Sequence, residues 1–477
     1  MKNKIIFVSG SFNVLHPGHI RLLRFAKDLK GKLIVGVISD KYAEKTAYIN
    51  QDLRLEGISS NSLVDEAIIV DEPIENFIKK LKPDIVVKGK EHEQKFNVEK
   101  DILEKFNGQL LFSSGENLLS SMDLIRKEIK NDSTDNFFMH HNYLKRHNIK
   151  IDRLKNLLDT FSTVKVTVIG DLIIDEYIDC ETLGMSQEDP SIVVTPTNSS
   201  KYIGGAGIVA AHAAGLGALS SIFTVSGDDN DKIFAEKTLS DQGVYSNIII
   251  DNNRITTLKK RFRNKNKTLL KVTHLKQNSI NNNLINILIS KIEKELESSN
   301  LLIFSDFNYG VLPQKVVDHV TKLARSKKVK IVADSQSSSQ FGDISRFKYM
   351  DLITPTENEA RITLRNREDG LVVLADKIKK ISKAKNVLLK LGEVGLLVHS
   401  KNKKNMFTDQ LNTFNKNPID PAGAGDSLLV CSALALTCGA SIFEAAYLGS
   451  VGAGIQISRI GNIPLKAKEI HNKINNI

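Results

Sequence analysis

The sequence predicts an α/β protein of two domains. Short apolar runs alternate with amphipathic stretches along most of the chain, the pattern of parallel strands joined by helices. Its 477 residues exceed what one core usually organises. A polar stretch, Asn131-Asp132-Ser133-Thr134-Asp135-Asn136, interrupts the alternation and separates two runs of it whose motifs differ.

In the first run, Ile5–Val8, Leu33–Ile38, Ala67–Val70, Ile85–Val87 and Leu110–Phe112 read as buried strands. The intervening segments read as helices, for example Gly18–Leu29 with apolar Ile20, Leu22, Leu23, Phe25 and Ala26. The domain is expected over residues 1–130. Residues 131–160 read as a linker that continues into a helix from Ile151 to Phe161. Its pair His140-His141 has no cysteine or carboxylate at ligand spacing, so it reads as linker surface rather than a metal site.

The second domain is expected over residues 161–477. Val164–Ile169, Leu301–Phe304, Val329–Ala333, Asp351–Thr354, Val387–Lys390 and Leu396–Val398 are its strands. Ile192–Thr195, Ser221–Val225, Asn247–Ile250 and Leu269–Val272 are further extended pieces, some of them candidates for a small separate sheet. Gly425–Cys438 and Ile442–Ile457, apolar and rich in small residues, read as buried helices.

Composition narrows the class. Hydrophobic residues at 41% and charged residues at 25% exclude a disordered or fibrous chain. Cys180, Cys431 and Cys438 lack metal-ligand spacing and form no disulfide framework, which fits a reducing compartment. No run approaches the roughly 18 apolar residues of a membrane span, and Ile5–Val8 is too brief for a signal peptide, so a cytoplasmic protein without membrane partners is expected. The net charge of +11 is spread along the chain, which reads as a solvated surface that also favours anionic substrates. No aromatic-interleaved basic stripe suggests nucleic acid.

The chemistry of the first domain is concentrated after its first strand, in Ser9-Gly10-Ser11-Phe12-Asn13-Val14-Leu15-His16-Pro17-Gly18-His19. Two imidazoles stand where a helix begins. Free N–H groups and the positive dipole end attract phosphate there, and the imidazoles can meet charge developing on a phosphoryl group.

This segment resembles the HxGH signature of the cytidylyltransferase-like nucleotidyltransferases, and the similarity spans about residues 4–130. It implies a Rossmann-like domain in which a substrate phosphate attacks the α-phosphorus of a nucleoside triphosphate and releases pyrophosphate, with no covalent intermediate. By that resemblance His16 and His19 are catalytic, and Ser11, Phe12, Lys45, Arg54, Ser120 and Ser121 bind the nucleotide. Val87-Lys88-Gly89-Lys90 resembles a family loop. Asn13 stands where many relatives carry Asp.

In the second domain, Asp420-Pro421-Ala422-Gly423-Ala424-Gly425-Asp426-Ser427 precedes a long apolar helix. Glycines permit close backbone approach, the helix start presents N–H groups to a phosphoryl group, and Asp426 is placed to take a hydroxyl proton. A helix N-cap aspartate has the same look, so companion motifs matter. Gly204-Gly205-Ala206 precedes the small-residue helix Ile208–Leu216. Gly170-Asp171 and Asp175 follow the first strand, Asp306-Phe307-Asn308-Tyr309-Gly310 follows another, and Glu359 follows Thr354-Pro355.

Together these resemble the ribokinase-like (PfkB) sugar kinases over about residues 164–470, implying an α/β/α domain with a small β lid. The resemblance makes Asp426 the base and Gly423, Ala424 and Gly425 the anion hole. Asp171, Asp175, Gly204 and Gly205 contact the sugar, Lys390, Gly392 and Gly395 line the nucleotide site, and Glu359 lies near Mg²⁺. Thr356, Ile208 and Met185 depart from the family pattern, which implies altered metal and sugar contacts.

The pairing of the two domains resembles the bifunctional heptose 7-phosphate kinase/heptose 1-phosphate adenylyltransferases, with the domain order reversed. It implies sugar phosphate and nucleoside triphosphate substrates, with ATP as co-substrate, CTP as an alternative for the transferase, Mg²⁺, and a homo-oligomer as one possibility. Two other readings stay open: a nucleotidyltransferase with a decayed kinase module, and a polyol-phosphate cytidylyltransferase fused to an unrelated kinase.

Overall fold

The structure is a computed structural model. It describes residues 4–475 except 14, 16, 44–46, 90–96, 114–136, 265–266, 337–341 and 402–405. The chain divides into two compact units, residues 1–135 with 366–374, and 136–365 with 375–477.

The first unit is built on β1 (Ile5–Gly10), β2 (Lys32–Ile38), β3 (Glu66–Val70), β4 (Ile85–Gly89) and β5 (Gln109–Ser113). They lie in the order β3-β2-β1-β4-β5, all parallel. Alternate residues of β1 go to opposite faces. Ile6 and Val8 pack with Leu23 and Ala26 of the helix Pro17–Asp28, while Phe7 packs with Ile78, Val86 and Leu103. Burial on both faces explains why these strands read as unbroken apolar runs. The strand order reverses at β1, and ligands bind beyond the carboxyl ends at such a switch point. The helix Pro17–Asp28, with His19 in its first turn, follows β1 there.

The second unit contains two sheets. The larger combines β6 (Lys165–Gly170), β9 (Leu219–Ser226), β10 (Val244–Ile250), β13 (Leu301–Asp306), β14 (Lys330–Ser335), β15 (Leu352–Ile353), β16 (Asn386–Lys390), β17 (Leu396–Lys401) and β18 (Met406–Leu411). Its order is β10-β9-β6-β13-β14-β15-β16-β17-β18, parallel as far as β16 and antiparallel beyond. The smaller sheet has the order β12-β11-β7-β8, from β7 (Leu172–Met185), β8 (Ile192–Gly205), β11 (Thr257–Asn264) and β12 (Lys267–His274). This is the expected lid. Ser221–Val225 and Asn247–Ile250 belong to the large sheet instead.

The two predicted apolar helices are observed as Ala424–Thr437 and Ile442–Gln456, and both are largely buried. The expected linker, residues 131–160, divides. Residues 131–136 fall outside the described residues, whereas the segment from 137 packs into the second unit. Tyr143, Leu144, Leu154, Leu157, Leu158 and Phe161 lie in its core, and Tyr143 donates to Phe443 O (3.2 Å). His147 stacks on Phe443 at 3.7 Å and, with Arg146, meets the carboxylate of Asp409 on β18. No described helix is long and apolar enough to cross a membrane.

Candidate active sites

In the first unit the helix Pro17–Asp28 begins just after β1 with no acidic residue in its first turn, so its dipole end is not neutralised. His19 sits in that turn, its ring edge-to-face with Phe12 at 5.1 Å. Phe12 is buried and adopts φ +48°, holding the chain in a sharp turn between strand and helix. Asn13 Oδ1 accepts from Tyr48 N (2.7 Å) and Ile49 N (3.4 Å), which ties this turn to a neighbouring loop. His16, Lys45, Lys90, Ser120 and Ser121 lie outside the described residues.

Arg54 departs from expectation. Only 2% exposed, it donates Nε to Ile49 O (2.7 Å), Nη1 to Ser11 O (2.6 Å) and Ile38 O (2.9 Å), and Nη2 to Asp40 Oδ1 (2.5 Å). That bond, with the charge behind it, holds the Asp40 carboxyl below its ordinary range. A guanidinium committed in this way braces the ends of β1 and β2 and has little left for a phosphate. Its place in the sequence fits a phosphate ligand, but its donors are already taken by the fold.

In the second unit the carboxyl ends of the parallel strands and the inner face of the lid enclose a cleft of about 900 Å³. Asp175, Gly205, Glu359, Lys390, Gly392, Gly395, Gly423, Ala424, Gly425 and Asp426 all line it. Residues scattered over some 250 positions of the sequence are thus brought together.

Gly423, at φ +74°, is the N-cap of the helix Ala424–Thr437, and a side chain there would come within 2.6 Å of Asn462 Oδ1. Asp426, in the first turn, is 7% exposed and accepts from Gln336 Nε2 (2.9 Å). Burial, reinforced by the nearby Asp334 carboxylate, pushes its carboxyl up to about 7, a value suited to a base working near neutral pH. Lys390 Nζ bonds both oxygens of Asp334 (2.9 and 3.1 Å) and reaches the first turn of the helix, 3.2 Å from where a Cβ on Gly425 would stand. Burial opposes the charge on Lys390, and Asp334 and Glu359 outweigh that opposition, leaving its ammonium above the ordinary lysine range. A fixed cation therefore sits at the helix's positive end.

Glu359 and Thr356 form a reciprocal cap. Thr356 N donates to Glu359 Oε2 (2.7 Å), and Glu359 N donates to Thr356 Oγ1 (3.1 Å). The departure at 356 thus retains a helix-capping group. Oxygen donors suit Mg²⁺, which is held through one or two carboxylates together with substrate phosphates. Among the described residues no cluster of three metal-ligating side chains occurs. Glu359 offers such a carboxylate at the cleft wall.

Four expectations need correction, because Asp171, Gly204, Ile208 and Met185 are all absent from the cleft wall. Asp171 is absent from the cleft wall: it is 1% exposed, and its carboxylate accepts from the backbone N–H groups of Phe307 (2.8 Å), Tyr309 (3.2 Å) and Val311 (3.2 Å). It shapes the 307–311 loop. Gly204 lies behind Asp175, where a Cβ would stand 2.4 Å from Oδ2, so it makes room for that carboxylate. Ile208 is fully buried in the apolar core, so this departure does not alter the cleft wall. Met185 is 61% exposed toward the end of β7.

Sequence reasoning missed Asp334, Gln336 and the basic side of the lid. Lys259, Arg261, Arg263 and Lys271 all line the cleft. The signal was present: Lys259, Arg261 and Arg263 alternate along β11, which puts them on one face. Asp334, like Asp306, stands at the carboxyl end of a parallel strand.

Residues 163–468 match the model of the pfkB family carbohydrate kinases. The chain belongs to the pfkB carbohydrate-kinase family. Residues 7–151 match the cytidylyltransferase-like model, so this pfkB protein is a transferase that carries a second transferase-type domain. The bifunctional protein HldE of Desulfatibacillum aliphaticivorans is 27% identical over 315 residues, 65% of this chain and 63% of that protein. HldE of Aliarcobacter butzleri is 29% identical over 311 residues, 64% and 63% respectively. The chain therefore spans less than two thirds of the length of these relatives. Among solved structures, phosphofructokinase-2 from Escherichia coli in complex with potassium matches with TM-score 0.54 at 17% identity, covering 66% of this chain and 98% of that one. That likeness establishes the pfkB fold of the second unit.

Proposed function

We propose that the protein is a bifunctional sugar-activating enzyme. Its second unit phosphorylates a sugar phosphate, a heptose phosphate by the resemblance described above, with ATP. Its first domain, residues 1–130, transfers a nucleotidyl group from a nucleoside triphosphate to a sugar 1-phosphate and releases pyrophosphate. The observation that carries the reading is one cleft holding both a buried carboxylate at a helix N-terminus and a wall of lid cations, Lys259, Arg261, Arg263 and Lys271. The first suits proton removal from a hydroxyl, and the second suits a substrate that already bears phosphate.

In the kinase step Asp426 takes the proton of the acceptor hydroxyl as its oxygen attacks the γ-phosphorus of ATP, and ADP leaves. The N–H groups of the helix start and the Lys390 ammonium meet the charge on the transferring phosphoryl group. Asp175 orients the sugar, and Glu359 would face a Mg²⁺ ion bound with ATP, which would supply charge neutralisation to the phosphates. In the transferase step His16 and His19 face charge that develops at the α-phosphorus.

Incubation with Mg²⁺, ATP or CTP, and a panel of sugar phosphates, followed by mass analysis, tests both halves. The reading expects a doubly phosphorylated sugar and, from a sugar 1-phosphate, a nucleotide sugar with pyrophosphate. His19→Ala should lower nucleotidyl transfer by about two powers of ten and spare phosphorylation. Absence of any sugar-dependent ADP release would favour a decayed kinase module, against which the placement of Asp426 and Lys390 argues.

A further inference from the structure

The lid strand β7 carries Asp175 and, two residues on, Tyr177. Both are buried, at 4% and 3% exposure. The Tyr177 hydroxyl donates to Asp420 Oδ2 at 2.8 Å. Asp420 begins the turn that leads into the anion-hole glycines. Its Oδ1 accepts from Ala422 N (3.1 Å), and its Oδ2 also accepts from Gly461 N (3.0 Å). The Tyr177 ring lies against the guanidinium groups of Arg261 and Arg263, at 5.4 and 5.0 Å, and edge-on to Tyr202 at 5.2 Å. Asp175 is anchored in parallel, by Arg261 (3.0 Å) and by Asn462 Nδ2 (3.0 Å), the neighbour of Gly461. Two lid side chains therefore grip the two segments, 420–422 and 461–462, that flank the start of the catalytic helix.

We infer that Tyr177 is a positioning residue: through Asp420 it holds the turn that presents the Gly423–Gly425 amides, so that the phosphoryl site is fully formed when the lid strand is docked. The inference rests on the kinase reading of this cleft. Asp420 is the natural relay because a carboxylate only accepts, and its three donors come from the lid, the anion-hole turn and the 461 loop. Burial raises the Tyr177 hydroxyl above its ordinary range, which keeps it a donor. Fixing backbone donors before the reaction is where electrostatic stabilisation is gained, and a displacement of a fraction of an ångström is felt in rate.

Tyr177→Phe removes one oxygen and keeps the ring between its arginines. On the full-length protein, hydrogen exchange should quicken about tenfold for the amides of 420 and 422–425, while β7 and β11 keep their protection. Sugar-dependent ADP release should fall about tenfold in kcat, with KM for ATP within about twofold. In an Asp420→Ala background the Phe substitution should add nothing, since the relay is already gone. Unchanged exchange at 420–425 overturns the inference, and so does faster exchange spread over β7 and β11, which would make Tyr177 a general support of the lid. If the wild-type protein phosphorylates no sugar, the kinase reading fails, and the exchange measurement alone decides the positioning role.

Discussion

Each unit carries a basic residue expected at a nucleotide site, Arg54 on the helix Gln51–Ser59 and Lys390 at the end of β16, and the two have opposite fates. Arg54 spends its guanidinium on three backbone carbonyls and Asp40. Lys390 ion-pairs with Asp334 and stands in the cleft wall at a helix start. Both are largely buried and both are ion-paired, so neither burial nor pairing separates them. What separates them is what the pair encloses: Arg54 closes a gap in the fold, whereas Lys390 faces a cavity large enough for substrates.

The largest effect should come from the residue beside Lys390. Asp426→Asn keeps the shape of the first helical turn and removes the base, so sugar phosphorylation should fall by about a thousandfold or more while sugar binding by calorimetry persists. Phosphorylation at the wild-type rate would reduce Asp426 to a helix cap. Next is whether the second cleft is self-sufficient. A chain beginning at residue 137 should fold and bind ATP. One beginning at 151 loses buried Tyr143 and Leu144 and the partners of Asp409, a loss of about 4 kcal/mol or more that should appear as aggregation or a much lower Tm. Equal stability of the two would mean that residues 137–150 are only a tether.

Exchanging each cation for methionine separates the two roles. Lys390→Met should lower phosphorylation about a hundredfold, with nucleotidyl transfer intact. Arg54→Met should instead destabilise the first unit by about 3 kcal/mol, because it strands three carbonyls and a carboxylate, and Arg54→Lys should not rescue it. If Arg54→Met left the Tm unchanged and raised KM for the nucleoside triphosphate, Arg54 would be a phosphate ligand after all.

The smallest effect concerns pH. The Asp426 carboxyl titrates near 7 in the folded protein and in the ordinary aspartate range when unfolded. A raised value means that the folded state holds this proton more tightly, so its stability contribution is present in acid and lost as pH rises through about 7. Asp426→Asn cannot ionise. Its Tm advantage over wild type should therefore be largest near pH 8 and shrink toward pH 5. Kinase activity of the wild type should rise across the same interval. A constant difference in Tm would place Asp426 in a less buried setting.

Much of this was legible in the chain. The apolar runs marked the parallel strands because burial on both faces removes any need for polar alternation, as at Ile6, Phe7 and Val8. The loop at 420–427 declared itself because glycines, a helix start and an aspartate are all required locally. Strand β7 is absent from the sequence reading, which places Asp175 only after the first strand of the domain; in the fold Asp175 is buried inside the lid.

Two α/β units, the glycine turn before Asp426 and the histidine-bearing helix start after β1 follow from the chain alone, since each is a short-range matter of backbone freedom, periodicity and charge. Which polar groups remain for substrates depends on the fold. Asp171 and Asp175 lie four residues apart with the same chemistry, yet the 307–311 amides take up the first, while the lid turns the second toward the cleft. Partners distant in sequence make that choice, because a buried polar group must be satisfied by whatever the fold brings beside it.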